Sequence, residues 1–129
     1  MTQTTSAKRP KNLDLTSIKM PMPAIVSILH RITGAGMFLV LLPFALCALQ
    51  GTLRSEESFK YWTDVLSSVP AKLLVVALVW AYVHHTLAGL RFLTLDLHVG
   101  IDKESAKRTS VIVLVGAILI TLVIGALIW

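Results

Sequence analysis

Three stretches of this chain are apolar almost without a break, and polar residues collect between them. From Ser110 to Trp129 the run SVIVLVGAILITLVIGALIW carries no charge, and as a helix it is long enough to cross a hydrocarbon core of ~30 Å. A second run, from about Ala71 to Leu95, begins after Pro70 and is closed by Asp96. A third, from about Ala24 to Leu49, begins after Pro21 and Pro23, where proline is tolerated in a first helical turn. Pro43 lies deeper in that run, so the spacing predicts a kink there with the Leu39 carbonyl left without its usual donor. The intervening segments, Gly51–Val69 and Asp96–Thr109, hold most of the remaining charges and read as loops. They are too short for a soluble catalytic domain, and no internal repeat is evident. Tyr61 and Trp62 are expected at the outer membrane interface, as is Trp129. Ala117, Thr121 and Gly125 recur every fourth residue, which is either a face for close helix contact or chance in an Ala/Gly-rich helix.

The fold class is therefore all-α: an integral membrane protein of three transmembrane helices, spans about 24–49, 71–95 and 110–129. Residues 1–23 form an N-terminal arm and 24–129 a three-helix membrane anchor. Composition strengthens this reading. A chain of 129 residues that is 55% hydrophobic, with mean hydropathy +0.76, has too little interior to bury so much apolar surface in water.

Charge changes the picture by giving orientation. A net charge of +5 suggests nucleic acid at first sight, but the basic residues flank apolar runs, so no nucleic-acid partner is expected. Nine of the twelve lysines and arginines fall on the side of the N-terminus and the second loop; only Arg54, Lys60 and Lys72 fall opposite. The positive-inside rule then puts the N-terminus in the cytoplasm and the C-terminus in the periplasm. Met1–Asn12 is polar and lacks the apolar core of a secretory signal, so a multi-pass protein of the bacterial inner membrane is expected. Cys47 has no intrachain partner and reads as a small buried hydrophobe.

Candidate chemistry lies in side chains that do not belong in lipid, since an ionisable group at membrane depth is costly. The first span holds Ser27, His30 and Arg31, which project from one side of the helix at roughly 5–10 Å depth from the cytoplasmic end. A hydroxyl and a guanidinium so placed suit a carbonyl oxygen of a buried ligand, or a propionate. The alternative is snorkelling of Arg31 to the headgroups, with Ser27 bonded to its own backbone. The second span holds His84, His85 and Arg91. His85 sits roughly 15 Å from the cytoplasmic face, where a neutral imidazole is a natural axial ligand of haem iron. Gly89, one turn on, leaves room for a flat macrocycle, and Arg91 lies nearer the cytoplasm, where propionates would point. His84 diverges by about 100° and cannot reach the same iron from the opposite side; it reads as supporting the ligand site from one layer out, or as bonded to a neighbouring helix. A satisfied interhelical histidine is the competing reading for both. No phosphate loop, Cys/His metal spacing or catalytic triad is present, so no catalytic residue is assigned.

These residues resemble a family. The arm RPKNLDL (Arg9–Leu15), followed by Ser27-x-x-His30-Arg31-x-Thr33-Gly34, is similar to the cytochrome b large anchor subunit of succinate dehydrogenase, respiratory complex II. The stretch His85-x-x-x-Gly89-x-Arg91 with Asp96 is similar to that family's His-x-x-x-Gly-x-Arg-His-x-x-x-Asp, with Phe92 in place of its second histidine. The resemblance implies a place in respiratory electron transport and the tricarboxylic acid cycle. Its partners would be a flavoprotein that oxidises succinate, an iron–sulfur subunit and a second small membrane anchor. It further implies that His85 is one axial ligand of haem b, the partner anchor giving the other. Ser27 and Arg31 would line the ubiquinone site, and His30, Arg31 and Arg91 would contact or neighbour the haem propionates. The chain would act as a subunit of succinate:quinone oxidoreductase without itself oxidising succinate.

Three other readings compete. One is the anchor of a fumarate reductase, and another a structural membrane subunit without a cofactor. The third is a self-contained b cytochrome ligated by His30 and His85, against which their unequal estimated depths argue.

Overall fold

In the computed structural model, which describes residues 19–129, the chain is helical between short connections. The arm motif Arg9–Leu15 lies outside the described residues. Helix α1 (Met22–Gly36), a π turn (Met37–Leu41) and α2 (Leu42–Arg54) run on as one helix of 33 residues. Then follow α3 (Glu56–Ser67), α4 (Val69–Asp96) and α5 (Lys103–Ile128). Three of these, Met22–Arg54, Val69–Asp96 and Lys103–Ile128, are long and apolar enough to cross a membrane.

Pro43 explains the π turn. A proline inside a helix has no N–H to give and crowds the preceding turn. Here the chain absorbs it by widening the turn before it: the Leu42 N–H bonds the Met37 carbonyl, five residues back, and Pro43 then stands in the first turn of α2. The irregularity expected at Pro43 thus takes the form of a π turn in a continuous helix.

Both segments read as loops are largely helical. Ser55 caps α3, its Oγ accepting from the Ser58 N–H at 3.1 Å, and Glu56 and Glu57 follow at the positive end of the helix. Trp62 of α3 lies over Gly51 of α2, where an added Cβ would collide with the indole nitrogen. Phe44 meets the same indole edge-on, ring centroids 6.5 Å apart. Helix α5 begins at Lys103, seven residues before the apolar run, because Asp102 caps it: its carboxylate accepts from the Ser105 N–H at 2.9 Å. Those bonds from Ser105 hold the Asp102 carboxyl below its ordinary range. The true connection is Leu97–Asp102. It opens with a Schellman turn in which His98, at φ 60°, takes the left-handed position; the His98 and Val99 N–H groups bond Leu95 and Thr94.

Helices α4 and α5 lie antiparallel, Arg91 facing Ala106 and Thr109 while Val76 faces Gly125. Helix α1 packs against both. The small stripe of α5 does serve this contact: Ala117 and Thr121 are buried, and Gly125 leaves room for Val76. After the π turn α2 leaves the bundle and touches α3 but neither α4 nor α5. For that reason Cys47, expected to be buried, is exposed on α2.

The interior is as polar as it is apolar. Val26, Val83, Ala88, Val113 and Ala117 share it with Thr33, His84, Arg91, Ser110 and Thr121, whereas Phe38, Leu53, Leu122 and Leu127 face outward. This inversion suits lipid, where helices associate through close packing and hydrogen bonds because apolar surface gains nothing by hiding from hydrocarbon.

Candidate functional site

The site forms where α1 crosses α4. Three residues of α1, His30, Thr33 and Gly34, face His85 and Gly89 of α4. The His30 and His85 rings lie face to face, centroids 4.0 Å apart and planes 12° from parallel. His85 Nδ1 is 3.0 Å from the His30 carbonyl oxygen. A carbonyl only accepts, so Nδ1 carries the proton and Nε2 keeps its lone pair. Thr33 Oγ1 donates to the Leu29 and His30 carbonyls at 2.8 and 3.1 Å, and its oxygen lies 3.4 Å from the same Nδ1.

Glycine makes this approach possible. A Cβ at position 34 would come within 2.8 Å of His85 Cε1, so only a bare backbone admits the imidazole there. Gly89 faces His30 but is not needed for the approach, since a Cβ there would make ordinary contact. A Cβ there would sit 3.7 Å from His30 Nε2, so the space over Gly89 is taken by His30 and is not an open shelf. Phe92 meets the His30 ring edge-on at 5.1 Å. In the sequence Thr33 and Gly34 stand out only as part of a motif; that both serve His85 follows from helix packing, which sequence spacing within α1 does not reveal.

The depth argument against pairing His30 with His85 fails, since the two rings stack at one level. A different fact argues against the self-contained cytochrome. Two histidines sharing one haem iron would turn their ring nitrogens toward each other, and these rings instead lie face on.

His84 is enclosed, with no exposed surface, and neither ring nitrogen has a partner among the described residues. It stacks on Trp80 at 5.4 Å. The hydrogen bond to a neighbouring helix expected of it is therefore missing, and an imidazole sealed inside the bundle has no open side for a bulky ligand. His85, by contrast, is half-buried.

Ser27 and Arg31 share the outward side of α1, Ser27 half-buried and Arg31 exposed. The hydroxyls of Thr33, Thr86, Thr94, Thr109, Ser110 and Thr121 all bond a carbonyl three or four residues back. Ser27 makes no such bond among the described residues, so its hydroxyl is left for another partner.

Arg91 turns away from His85. Its Nε donates to Thr109 Oγ1 at 3.0 Å and an Nη to the Ala106 carbonyl at 3.3 Å, tying α4 to the first turns of α5. The guanidinium carbon also lies 5.7 Å from the Phe92 ring centre. Among the described residues no group of three or more His, Cys, Asp and Glu side chains is arranged to hold a bare metal ion.

Comparison with known proteins places this geometry in a family. The family model for the succinate dehydrogenase/fumarate reductase transmembrane subunit matches residues 5–124. The succinate dehydrogenase cytochrome b556 subunit of Coxiella burnetii is 34% identical over 96% of this chain and 99% of its own length. The subunit of the same name from Paracoccus denitrificans is 30% identical over 93% of this chain and 92% of its own, and that of Rickettsia felis 28% over 91% and 90%. Matches that run from the arm through the third membrane helix show that this chain belongs to the succinate dehydrogenase/fumarate reductase transmembrane subunit family.

Proposed function

We propose that this chain is the haem b- and quinone-binding anchor of a bacterial succinate dehydrogenase, carrying electrons from succinate oxidation to ubiquinone at the inner membrane. The observation that carries this reading is the state of His85. Its Nδ1–H is engaged by the His30 carbonyl, its ring is seated on Gly34, and its Nε2 lone pair has no partner among the described residues. Histidine ligands of metals are fixed in this way, one nitrogen donating to a carbonyl so that the other faces the metal. The residues present fit a haem, and the relatives are named cytochrome b556.

Within this reading His85 Nε2 would hold the haem iron from this chain, and a histidine of the second anchor would supply the other ligand. When bound, haem b supplies a one-electron iron couple. His30 holds His85 from its ring face and its carbonyl, while its own edge and Arg31 would serve the propionates. Arg91, expected beside those propionates, contributes by holding α5 to α4 at that end of the bundle. Ser27 and Arg31 form the quinone site: the free hydroxyl and guanidinium donate to a quinone carbonyl oxygen, and the guanidinium strengthens its bond through charge.

The topology follows the distribution of charge. Residues 1–23 and the connection Leu97–Asp102 lie on the cytoplasmic side, where the iron–sulfur and flavoprotein subunits dock, and Trp129 lies in the periplasm. The relatives' names favour succinate dehydrogenase over the fumarate reductase that the family also covers. The test is purification of the tagged chain in mild detergent. The three partner subunits and a b-type reduced-minus-oxidised spectrum are expected together. Co-purification without any such spectrum would leave a structural subunit in place of the cytochrome.

A further inference from the structure

Arg91 poses a problem that the haem and quinone reading does not use. Its side chain is 6% exposed, it stands in a membrane helix, and among the described residues no carboxylate pairs with it. Thr109 and the Ala106 carbonyl each take one N–H, but neither brings a negative charge. A buried guanidinium so placed calls for an anion.

Beside it the structure has a groove. Leu87, Arg91 and Thr94 of α4 and Thr109, Ile112 and Gly116 of α5 line a cleft of ≈300 Å³ that continues along Val113 and Ile120. Its long walls are apolar; its polar atoms gather at one end, where Arg91, Thr94 and Thr109 meet. Gly116 keeps the floor low, for a Cβ there would already touch Leu87 at 3.5 Å. The polar end lies about five residues from the end of α4, roughly 7.5 Å along the axis, which is near the level of lipid headgroups. A second depression, lined by Glu104, Lys107, Arg108, Val111 and Ile112, adjoins it through Ile112; Lys107 adds positive charge to the rim, while Arg108 is paired with Glu104 at 3.4 Å.

We propose that this groove holds an acyl chain of an anionic phospholipid whose phosphodiester sits on the Arg91 guanidinium. An apolar cleft closed at one end by a buried cation matches an amphiphile with one negative head. Arginine also suits phosphate better than lysine would, because its planar fork donates two parallel bonds. Basic pockets between membrane helices at the cytoplasmic face recognise acidic lipid headgroups on the same chemistry. The proposal needs only that the chain spans a membrane, and it stands apart from the haem assignment.

The test uses the intact complex, stripped of lipid in a neutral detergent and titrated with phosphatidylglycerol or phosphatidylcholine under native mass spectrometry. Wild type is expected to hold phosphatidylglycerol at least about tenfold more tightly than phosphatidylcholine, a difference of ~1.4 kcal/mol. Arg91→Gln is expected to erase that preference. Gly116→Leu, which fills the floor and leaves the cation in place, is expected to weaken phosphatidylglycerol by a similar factor while the visible spectrum is kept. If Gly116→Leu does not assemble, Ile120→Trp fills the same groove from a more exposed position. Millimolar inorganic phosphate, which has the anion but no tail, is expected not to displace the lipid. Equal retention of the two lipids by wild type would overturn the proposal, as would unchanged retention in the groove-filling variant. So would an Arg91→Gln complex that loses haem yet binds phosphatidylglycerol as wild type does, since the anion of Arg91 would then be a propionate.

Discussion

His85 donates its Nδ1 proton to the main-chain oxygen of His30 and lies flat against the His30 ring, 4.0 Å away. One residue of α1 thus fixes both the tautomer and the plane of the imidazole that the proposed function depends on. It does so through backbone as well as side chain, so His30 substitutions would remove the stack and leave the carbonyl.

The glycine beneath this pair gives a sharp test of packing. Gly34→Ala places a methyl 2.8 Å from His85 Cε1, and the ring cannot simply swing aside while bonded to His30. Overpacking of this kind costs about 1–3 kcal/mol, and a shifted Soret or α band in the purified complex is the expected sign. Gly36→Ala is the control, because a Cβ there meets nothing within 4 Å. It should leave the spectrum alone and stabilise the helix by up to ~1 kcal/mol. Identical spectra for both variants would mean that Gly34 does not seat the ligand.

Ser27 separates quinone binding from everything upstream of it. Ser27→Ala is expected to cut succinate:ubiquinone reductase activity strongly, since a hydrogen bond to a ligand with its stranded partner is worth roughly 1–3 kcal/mol. Succinate oxidation by a soluble artificial acceptor should stay nearly intact. Arg31→Leu should behave alike but is less clean, because Arg31 also faces the proposed propionates. Normal ubiquinone reduction by an assembled Ser27→Ala complex would remove Ser27 from the site.

Much of this is legible in the sequence. The three apolar runs, Pro70 and the stripe Ala117, Thr121, Gly125 predict helices and contacts that the structure contains. The charged segments misled because charge argues only against burial in lipid, not against helix. Ser55 followed by two glutamates, and Asp102 three residues before Ser105, were helix starts hidden among charges. Depth is not legible from spacing alone. Counting residues from each span's end treats helix ends as level, yet His30 is eight residues into α1 while His85 is eleven before the end of α4, and the rings still meet. The direction of Arg91 was open to arithmetic: six residues beyond His85 is about 240° around the helix, another face altogether. No spacing along α1, by contrast, announces that Gly34 will lie under a histidine fifty-one residues away.

Orientation rests on charge, and a fusion tests it. With nine of twelve basic residues on the inferred cytoplasmic side, a reporter joined after Trp129 is expected to be active only outside the cytoplasm. Alkaline phosphatase activity at that junction, with a cytoplasmic reporter silent there, agrees with the topology; the reverse pattern contradicts it.

The proposed function assigns haem iron to His85 and not to its enclosed neighbour. Its most direct measurement is the reduced-minus-oxidised visible spectrum of the purified complex carrying His85→Ala or His84→Ala. His85→Ala is expected to lose or markedly shift the b-type bands, any residual haem resting on the partner anchor's ligand. His84→Ala should largely keep them, because its imidazole is sealed inside the bundle against Trp80. A normal spectrum in His85→Ala together with its loss in His84→Ala would contradict the account at its root.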